Sequence, residues 1–248
     1  MADMIGTAGA IGPVRTAKAS LWLGLIGVIL IAAGAYGAGA GLFPAPVGLL
    51  MVLAGFLLGI VGGLAGLIAL FRNRRSGQGR RIFVGLLLSA ATLAAVGPWI
   101  MRLTSNPMIH DVSTNVNAQP EFSVLKLRAD NLAGVGTLER WQSLHAATYG
   151  DIQPIRLDGT PAQAIARATA IAKARGWEIA VTTPDRLEAT DTVSPFKFKD
   201  DVLVTATPAT EGSGTIVNMR SVSRIGQSDF GVNAKRVRSF LADMKSAE

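Results

Sequence analysis

The chain has 248 residues, 49% of them hydrophobic, and its mean hydropathy of +0.37 excludes an ordinary soluble protein. It contains no Cys, which excludes disulfides, thiol nucleophiles and Cys-ligated zinc. The net charge of +7 belongs to residues 1–103, which hold eight Lys or Arg and one acid. The remaining residues hold 16 basic and 16 acidic side chains and are neutral overall. The charge therefore gives no support to nucleic-acid binding.

Three apolar stretches without charges stand near the N-terminus, at Ser20 to Ala40, Pro46 to Phe71 and Ile82 to Met101. Each is long enough to cross about 30 Å of hydrocarbon as a helix. They predict a three-span transmembrane domain over residues 20–103 behind a cytoplasmic tail over residues 1–19. The absence of basic residues before Arg15 and the two further spans favour an uncleaved anchor over a signal peptide.

The composition of the spans favours an anchor over a transporter. Glycines recur at four-residue intervals at Gly55, Gly59 and Gly63, which predicts close helix packing. No span contains an ionisable residue of the kind that handles substrate or protons in pumps.

The orientation follows from the basic residues that flank the spans. Arg15, Lys18 and the loop RNRRSGQGRR place seven of them on one side, whereas the connection GLFPA has none. The N-terminus is therefore expected in the cytoplasm and the C-terminal domain in the periplasm. The predicted location is the bacterial inner membrane, as a multi-pass protein with the lipid bilayer as its first partner.

The segment that follows the spans, residues 104–120, is polar and rich in turn residues, which predicts a linker. TLERWQSLHAATYG has Leu138, Trp141, Leu144 and Ala147 at helical spacing and predicts a short helix.

The clearest element is the helix predicted over residues 161–175. Thr160 can cap it, Pro161 suits its first turn, Gln163 completes a capping box, and Gly176 is a C-terminal stop.

Four strands and a closing helix complete the domain over residues 121–248. The strand segments are WEIAVTT, RLEATDTV, DDVLVTAT and TIVNMRSVSR, and GVNAKRVRSFLADM forms the helix. This order predicts the α+β class, with an antiparallel sheet in two layers and both helices on one face. The other face is expected to stay wet or to bind something.

The segment RSVSRIGQSDFGVNAKR, residues 220–236, is the strongest candidate for a binding site. Backbone amides of its glycine-containing turn and nearby arginines suit a phosphate or carboxylate. The candidate ligand-binding residues are Arg220, Ser221, Ser223, Arg224, Ser228, Asp229, Asn233 and Arg236.

A structural role for the same segment is the favoured alternative. Strand alternation separates Arg220, Val222 and Arg224 from the two serines between them. The arginines of the segment would then pair with Asp200, Asp201 or Asp229, and Ser228 or Asp229 would cap the last helix.

Catalysis has weaker candidates. His110 and Asp111, together with Asp200 and Asp201, supply acid and base groups, although neighbours on a strand point in opposite directions. His145 lies in the predicted short helix and is expected at the edge of the core. No spacing suits a metal and no GxSxG elbow is present, so neither a metal nor another cofactor is expected and an enzyme is not favoured.

FKDDVLV followed by MRSVSRIGQSDFGVNAKRVRSFL resembles the hallmark of the DUF1499 family, and IHDVST, YGDIQPI, GWEI and LEATDT resemble its members with membrane spans. The resemblance covers about residues 105–244, and it departs from the family pattern at Thr205 and Asn218. It implies a DUF1499-like domain that faces the cell envelope on a short membrane segment, without an established reaction.

Taken together, these features predict an envelope protein anchored in the inner membrane. Its exported domain would be a binding or assembly module for an anionic lipid or glycan or for a protein partner. The alternative is a tethered periplasmic hydrolase that uses His110 with Asp200 or Asp201 and arginines.

Overall fold

The computed structural model describes residues 11–72 and 77–246, and side chains from residue 15 onward. The chain divides into two compact units close to Ile100, and residues 194–197 are grouped with the first. The expected basic loop falls partly outside the described residues, because Arg74 and Arg75 lie between the two ranges.

The first unit contains three long helices, α1 (Ile11–Gly39), α2 (Ala45–Arg72) and α3 (Gly79–Ser105). All three are long and apolar enough to cross a membrane, which confirms the three predicted stretches. Each helix extends beyond its predicted stretch at one or both ends.

Small residues hold α1 and α2 close together. The buried positions of α2 are Gly48, Gly55, Gly59, Gly62, Gly66 and Ala69. A Cβ added at Gly55 would lie 2.5 Å from the carbonyl oxygen of Gly27 in α1, and one added at Gly48 would lie 2.5 Å from that of Gly34. The glycine pattern therefore marks a helix contact, because larger side chains would force the backbones apart.

The second unit combines six strands and three helices. The strands are β1 (Asp111–Ser113), β2 (Ile155–Leu157), β3 (Glu178–Thr183), β4 (Arg186–Val193), β5 (Phe198–Pro208) and β6 (Thr215–Ser223). The helices are α4 (Leu138–Tyr149), α5 (Pro161–Ala174) and α6 (Val232–Ser246).

All strands pair antiparallel, in the order β1-β6-β5-β4-β3, and β2 pairs with the first half of β6. The four predicted strands form the continuous part of this sheet. The two short strands were not predicted, because three residues are too few to show a period of two.

The predicted linker over residues 104–120 is therefore wrong in its middle part. Residues 111–113 form β1, and Asp111, Val112 and Ser113 are all buried. Their polarity indicated a loop, but the polar groups have partners inside the domain, which makes burial tolerable.

Helices α5 and α6 pack on one face of the sheet, as expected. The capping box of α5 is present between Thr160 and Gln163, and Gly176 has a φ of 74° just after the helix. The apolar face of α6 is also confirmed, with Val237, Phe240, Leu241 and Met244 buried.

The buried face of α4 agrees with the predicted one at Trp141 and, in part, at Leu144, and differs elsewhere. Trp141, His145 and Tyr149 are buried at intervals of four, whereas Leu138 is 44% exposed. The prediction placed His145 at the core edge, but it is fully buried, and its Nε2 accepts a hydrogen bond from the Ser113 amide of β1.

The second face of the sheet is largely covered by the chain itself. Residues 114–131, here called the covering segment, contain no helix or strand. Glu188 of β4 accepts hydrogen bonds from three consecutive backbone amides of this segment, those of Ser123, Val124 and Leu125. The face is therefore not generally wet, and Leu203 at its centre is fully buried.

Candidate functional site

Strand alternation divides the segment 220–236 between the two faces of the sheet, as predicted. Ser221 and Ser223 of β6 face α6, while Arg220 and Arg224 face the other way, toward the covering segment. The same rule separates Asp200 from Asp201 on β5. Two clusters of polar residues result, one on each face.

The first cluster lies between the sheet and α6 and is centred on Arg236. This side chain, 4% exposed, donates to Asp200 at 2.7 Å and to Asp191 at 2.8 Å. Its third nitrogen donates to Ser221 at 2.9 Å and also to Asn233. Each of the three guanidinium nitrogens therefore donates to at least one protein acceptor, as a buried charge requires.

Asn233 connects α6 to the strands. Its Nδ2 donates to the carbonyl oxygen of His110 at 2.9 Å and to Ser223 at 3.0 Å. The carboxylate of Asp229 accepts from the amides of Gly231 and Asn233 and so holds the first turn of α6. Burial raises the pKa of Asp229 to about 6.

Ser228 has a local role in the turn. Its hydroxyl accepts a hydrogen bond from the Phe230 amide at 3.3 Å. Phe230 has a φ of 55°, which few residues other than glycine adopt, so this contact belongs to the geometry of the turn.

The second cluster contains the pair of Arg220 and Asp111. Arg220 donates to the two carboxylate oxygens at 3.0 and 2.6 Å and to the carbonyl oxygen of Pro120 at 2.9 Å. Asn131 donates to the same carboxylate and bonds the His110 ring at 3.2 Å. Burial, reinforced by the charge of Arg128, lowers the pKa of His110.

Arg224, the third arginine of the segment, pairs with Asp201. Two of its nitrogens donate to the carboxylate at 2.9 and 2.8 Å, and Thr190 bonds both partners. The Arg224 side chain is 41% exposed, against 4% for the other two arginines of the segment. It is the arginine of the segment that most faces solvent.

The pairing interpretation therefore holds for Arg224 with Asp201 and for Arg236 with Asp200. The interpretation is wrong for Arg220, which pairs with Asp111 of β1. This partner was missed because β1 was not predicted and Asp111 was assigned to a linker.

The four candidates for catalysis do not converge on one cleft. Asp200 and Asp201 lie on opposite faces, and Asp111 is engaged by Arg220. His110 is 1% exposed and its ring bonds Asn131. Among the described residues, no group of His, Asp or Glu is arranged to hold a metal ion.

A cleft of about 210 Å³ opens beside Arg224 between β5, β6 and the covering segment. It is lined by Phe122, Lys126, Leu127, Arg128, Asp201, Val222, Ser223 and Arg224, that is, by three cations and one acid. Ser223 and Arg224 are the only predicted ligand-binding residues in this lining; a ligand role for the whole set stays a prediction.

The cleft residues that the sequence analysis missed lie in the covering segment. Phe122, Lys126 and Arg128 stand in EFSVLKLR, where cations alternate with apolar residues. This pattern is a visible signal, but only the fold places it against β6.

The fold defines a class of protein in which three helices apolar enough to cross a membrane precede an α+β domain with one antiparallel sheet. The family model for DUF1499, described as a protein of unknown function, matches residues 111–244, from β1 into α6. The match covers more than half of the chain, and the chain belongs to the DUF1499 family. No curated protein matches it.

Proposed function

We propose that this protein is a membrane-anchored module of the cell envelope that binds an anionic ligand in the cleft beside Arg224. One observation carries the proposal: three cations and one acid line this cleft, in a domain whose charges balance overall. A local positive excess attracts anions, and arginine suits phosphate and carboxylate groups.

Two cationic donors in the cleft are available to a ligand. Arg224 uses Nε and Nη2 for Asp201, and its Nη1 has no hydrogen bond within the described part of the chain. Lys126 is exposed and forms no ion pair with any described residue. Arg128 is less available, because Asp130 and the carbonyl oxygen of Gly226 occupy its donors.

The proposed orientation has the N-terminus in the cytoplasm and the α+β domain in the periplasm. It is supported by the basic residues near α1 and between α2 and α3, since such residues concentrate on the cytoplasmic side. A reporter enzyme that is active only in the periplasm, fused after Glu248, should be active; activity of a cytosolic reporter at the same point would contradict the orientation.

The binding function is tested by charge reversal in the full-length protein. Lys126→Glu should reduce the anionic lipids and glycans that co-purify with the protein from membranes, as measured by mass spectrometry. Lys235→Glu is the matched control, because Lys235 is an exposed lysine of α6 outside the cleft. Equal amounts of anionic molecules on both variants and the wild type would refute a ligand at this site. Co-purification of a protein partner that depends on Lys126, without any small anion, would refute the small-ligand form of the proposal.

A further inference from the structure

We infer that the ligand of the cleft is an anionic amphiphile, a molecule that joins a phosphate or carboxylate group to an acyl chain. The inference rests on the proposed function and specifies the chemistry of its ligand. It follows from the size of the cleft, from the apolar residues in and beside it, and from the way the two flanking segments are joined.

The size of the cleft limits what can enter it. Pockets that enclose a whole small-molecule ligand measure about 300–1,000 Å³. The cleft is smaller, at about 210 Å³, and it is partly open to solvent. It can therefore take one group of a ligand, while the rest of that ligand lies on the surface next to it.

The surface next to the cleft is apolar. Phe122, Leu127 and Val222 contribute to the lining, and Leu127 is 37% exposed. Val124 and Ile225, which stand close to lining residues along the chain, are 54% and 55% exposed. Apolar surface of this kind gains free energy in proportion to the area that a ligand covers.

One hydrogen bond joins the two segments that carry these residues. Nη1 of Arg128 donates to the carbonyl oxygen of Gly226 at 2.6 Å and so connects the covering segment to the turn after β6. Leu127 and Ile225 are each next in sequence to one of the two bonded residues, so this hydrogen bond holds their backbones near each other. Cations and exposed apolar side chains thus occur together, which is the combination that a chain-bearing anion requires.

The test uses the full-length protein in nanodiscs of zwitterionic phosphatidylcholine. The probe is dodecanoyl lysophosphatidylglycerol with a photoreactive diazirine on its chain, and mass spectrometry locates the crosslinks. We expect crosslinks in residues 121–128 and 222–227, which separates the cleft from lipid that surrounds the helices of the first unit. The concentration of unlabelled lysophosphatidylglycerol that halves the crosslinking should be at least about tenfold lower than the concentration of lysophosphatidylcholine or glycerol 3-phosphate that does so.

Variants separate the chain from the charge. Leu127→Gln should raise the half-displacing concentration of lysophosphatidylglycerol about fivefold or more. That of glycerol 3-phosphate should not change, because the substitution removes apolar contact only. Leu138→Gln, at an exposed leucine of α4, is the matched control and should change neither.

The outcomes distinguish the two proposals. If glycerol 3-phosphate competes as well as the lysolipid and Lys126→Glu abolishes both, the anionic site stands and the amphiphile is refuted. If lysophosphatidylcholine competes equally well, recognition of the anion is refuted. If crosslinks in the two segments are no more frequent than in Lys126→Glu, both proposals fail.

Discussion

Removal of the Arg220 side chain tests whether the buried ion pairs hold the domain together. Arg220 and Asp111 are 4% and 3% exposed, and Arg220→Met would leave the Asp111 carboxylate buried with Asn131 as its remaining side-chain donor. Breaking a buried pair on one side costs about 3–5 kcal/mol. Such a loss is a large part of the about 5–15 kcal/mol that stabilises a domain.

The matched control is an ion pair of the same geometry at the surface. Arg238 and Asp151 are joined by two hydrogen bonds of 2.6 Å, but their side chains are 44% and 58% exposed. Water competes for both charges there, so Arg238→Met should cost about 1 kcal/mol or less.

Thiol labelling measures the difference in the full-length protein. The chain has no Cys, so Val204→Cys, at a fully buried position of β5, introduces a single thiol that reacts only when the sheet opens. The midpoint of labelling with temperature should fall by about 6–20 °C for Arg220→Met, and by about 4 °C or less for Arg238→Met.

A second substitution tests the cause of the loss. Adding Asp111→Leu to Arg220→Met removes the unpaired charge and should restore about half of the lost stability or more, because an apolar pair needs no hydration. If the two single arginine variants have the same midpoint, or if Asp111→Leu lowers the midpoint further, the argument from desolvation is wrong.

Three further predictions concern pH and helix packing. Burial alone would raise the pKa of Glu188, but hydrogen bonds from the covering segment outweigh it and hold the pKa at about 2. In denaturant unfolding, wild type should therefore gain stability relative to Glu188→Gln as the pH rises from about 2 to 4.5, because the ionised carboxylate is favoured in the folded state. The gain should be lost again as the pH falls toward 2, and a difference independent of pH would contradict the assignment. The pH dependence expected for Asp229 is opposite, because its pKa is raised from 3.8 to about 6. Wild type should lose stability relative to Asp229→Asn as the pH rises through this range. A stability difference that does not change with pH would refute the raised pKa. Gly55→Ala should destabilise the packing of α1 and α2, as followed by circular dichroism during titration with a denaturing detergent. Gly97→Ala is the control and should have no such effect, because its added Cβ meets no neighbouring atom within 4 Å. Equal effects of the two substitutions would contradict a close helix contact at Gly55.

The elements that the sequence predicted well are those whose signal is local. The apolar helices need only length and composition, because the bilayer thickness sets both. The capping box at Thr160 and Gln163 forms within one helical turn, and the alternation of β3 to β6 follows from the period of two in a strand. The division of Asp200 from Asp201 was predictable for the same reason.

The elements that the sequence could not predict depend on contacts between distant residues. β1 is polar and three residues long, and it exists because it pairs with β6 and because Asp111 meets Arg220, 109 residues away. The face predicted for α4 included Trp141 but not His145. Tertiary contacts bury both, because Trp141 and His145 bond to β1.

The sequence by itself thus determined the membrane-type helices, the α+β class and the two faces on which the charged residues of segment 220–236 lie. Only the tertiary structure decided which carboxylate each arginine meets, and that the covering segment closes most of the second face while leaving a cationic cleft beside Arg224. The physical reason is that helix and strand periods are set by neighbouring residues, whereas ion pairs and clefts form between segments that the fold alone brings together.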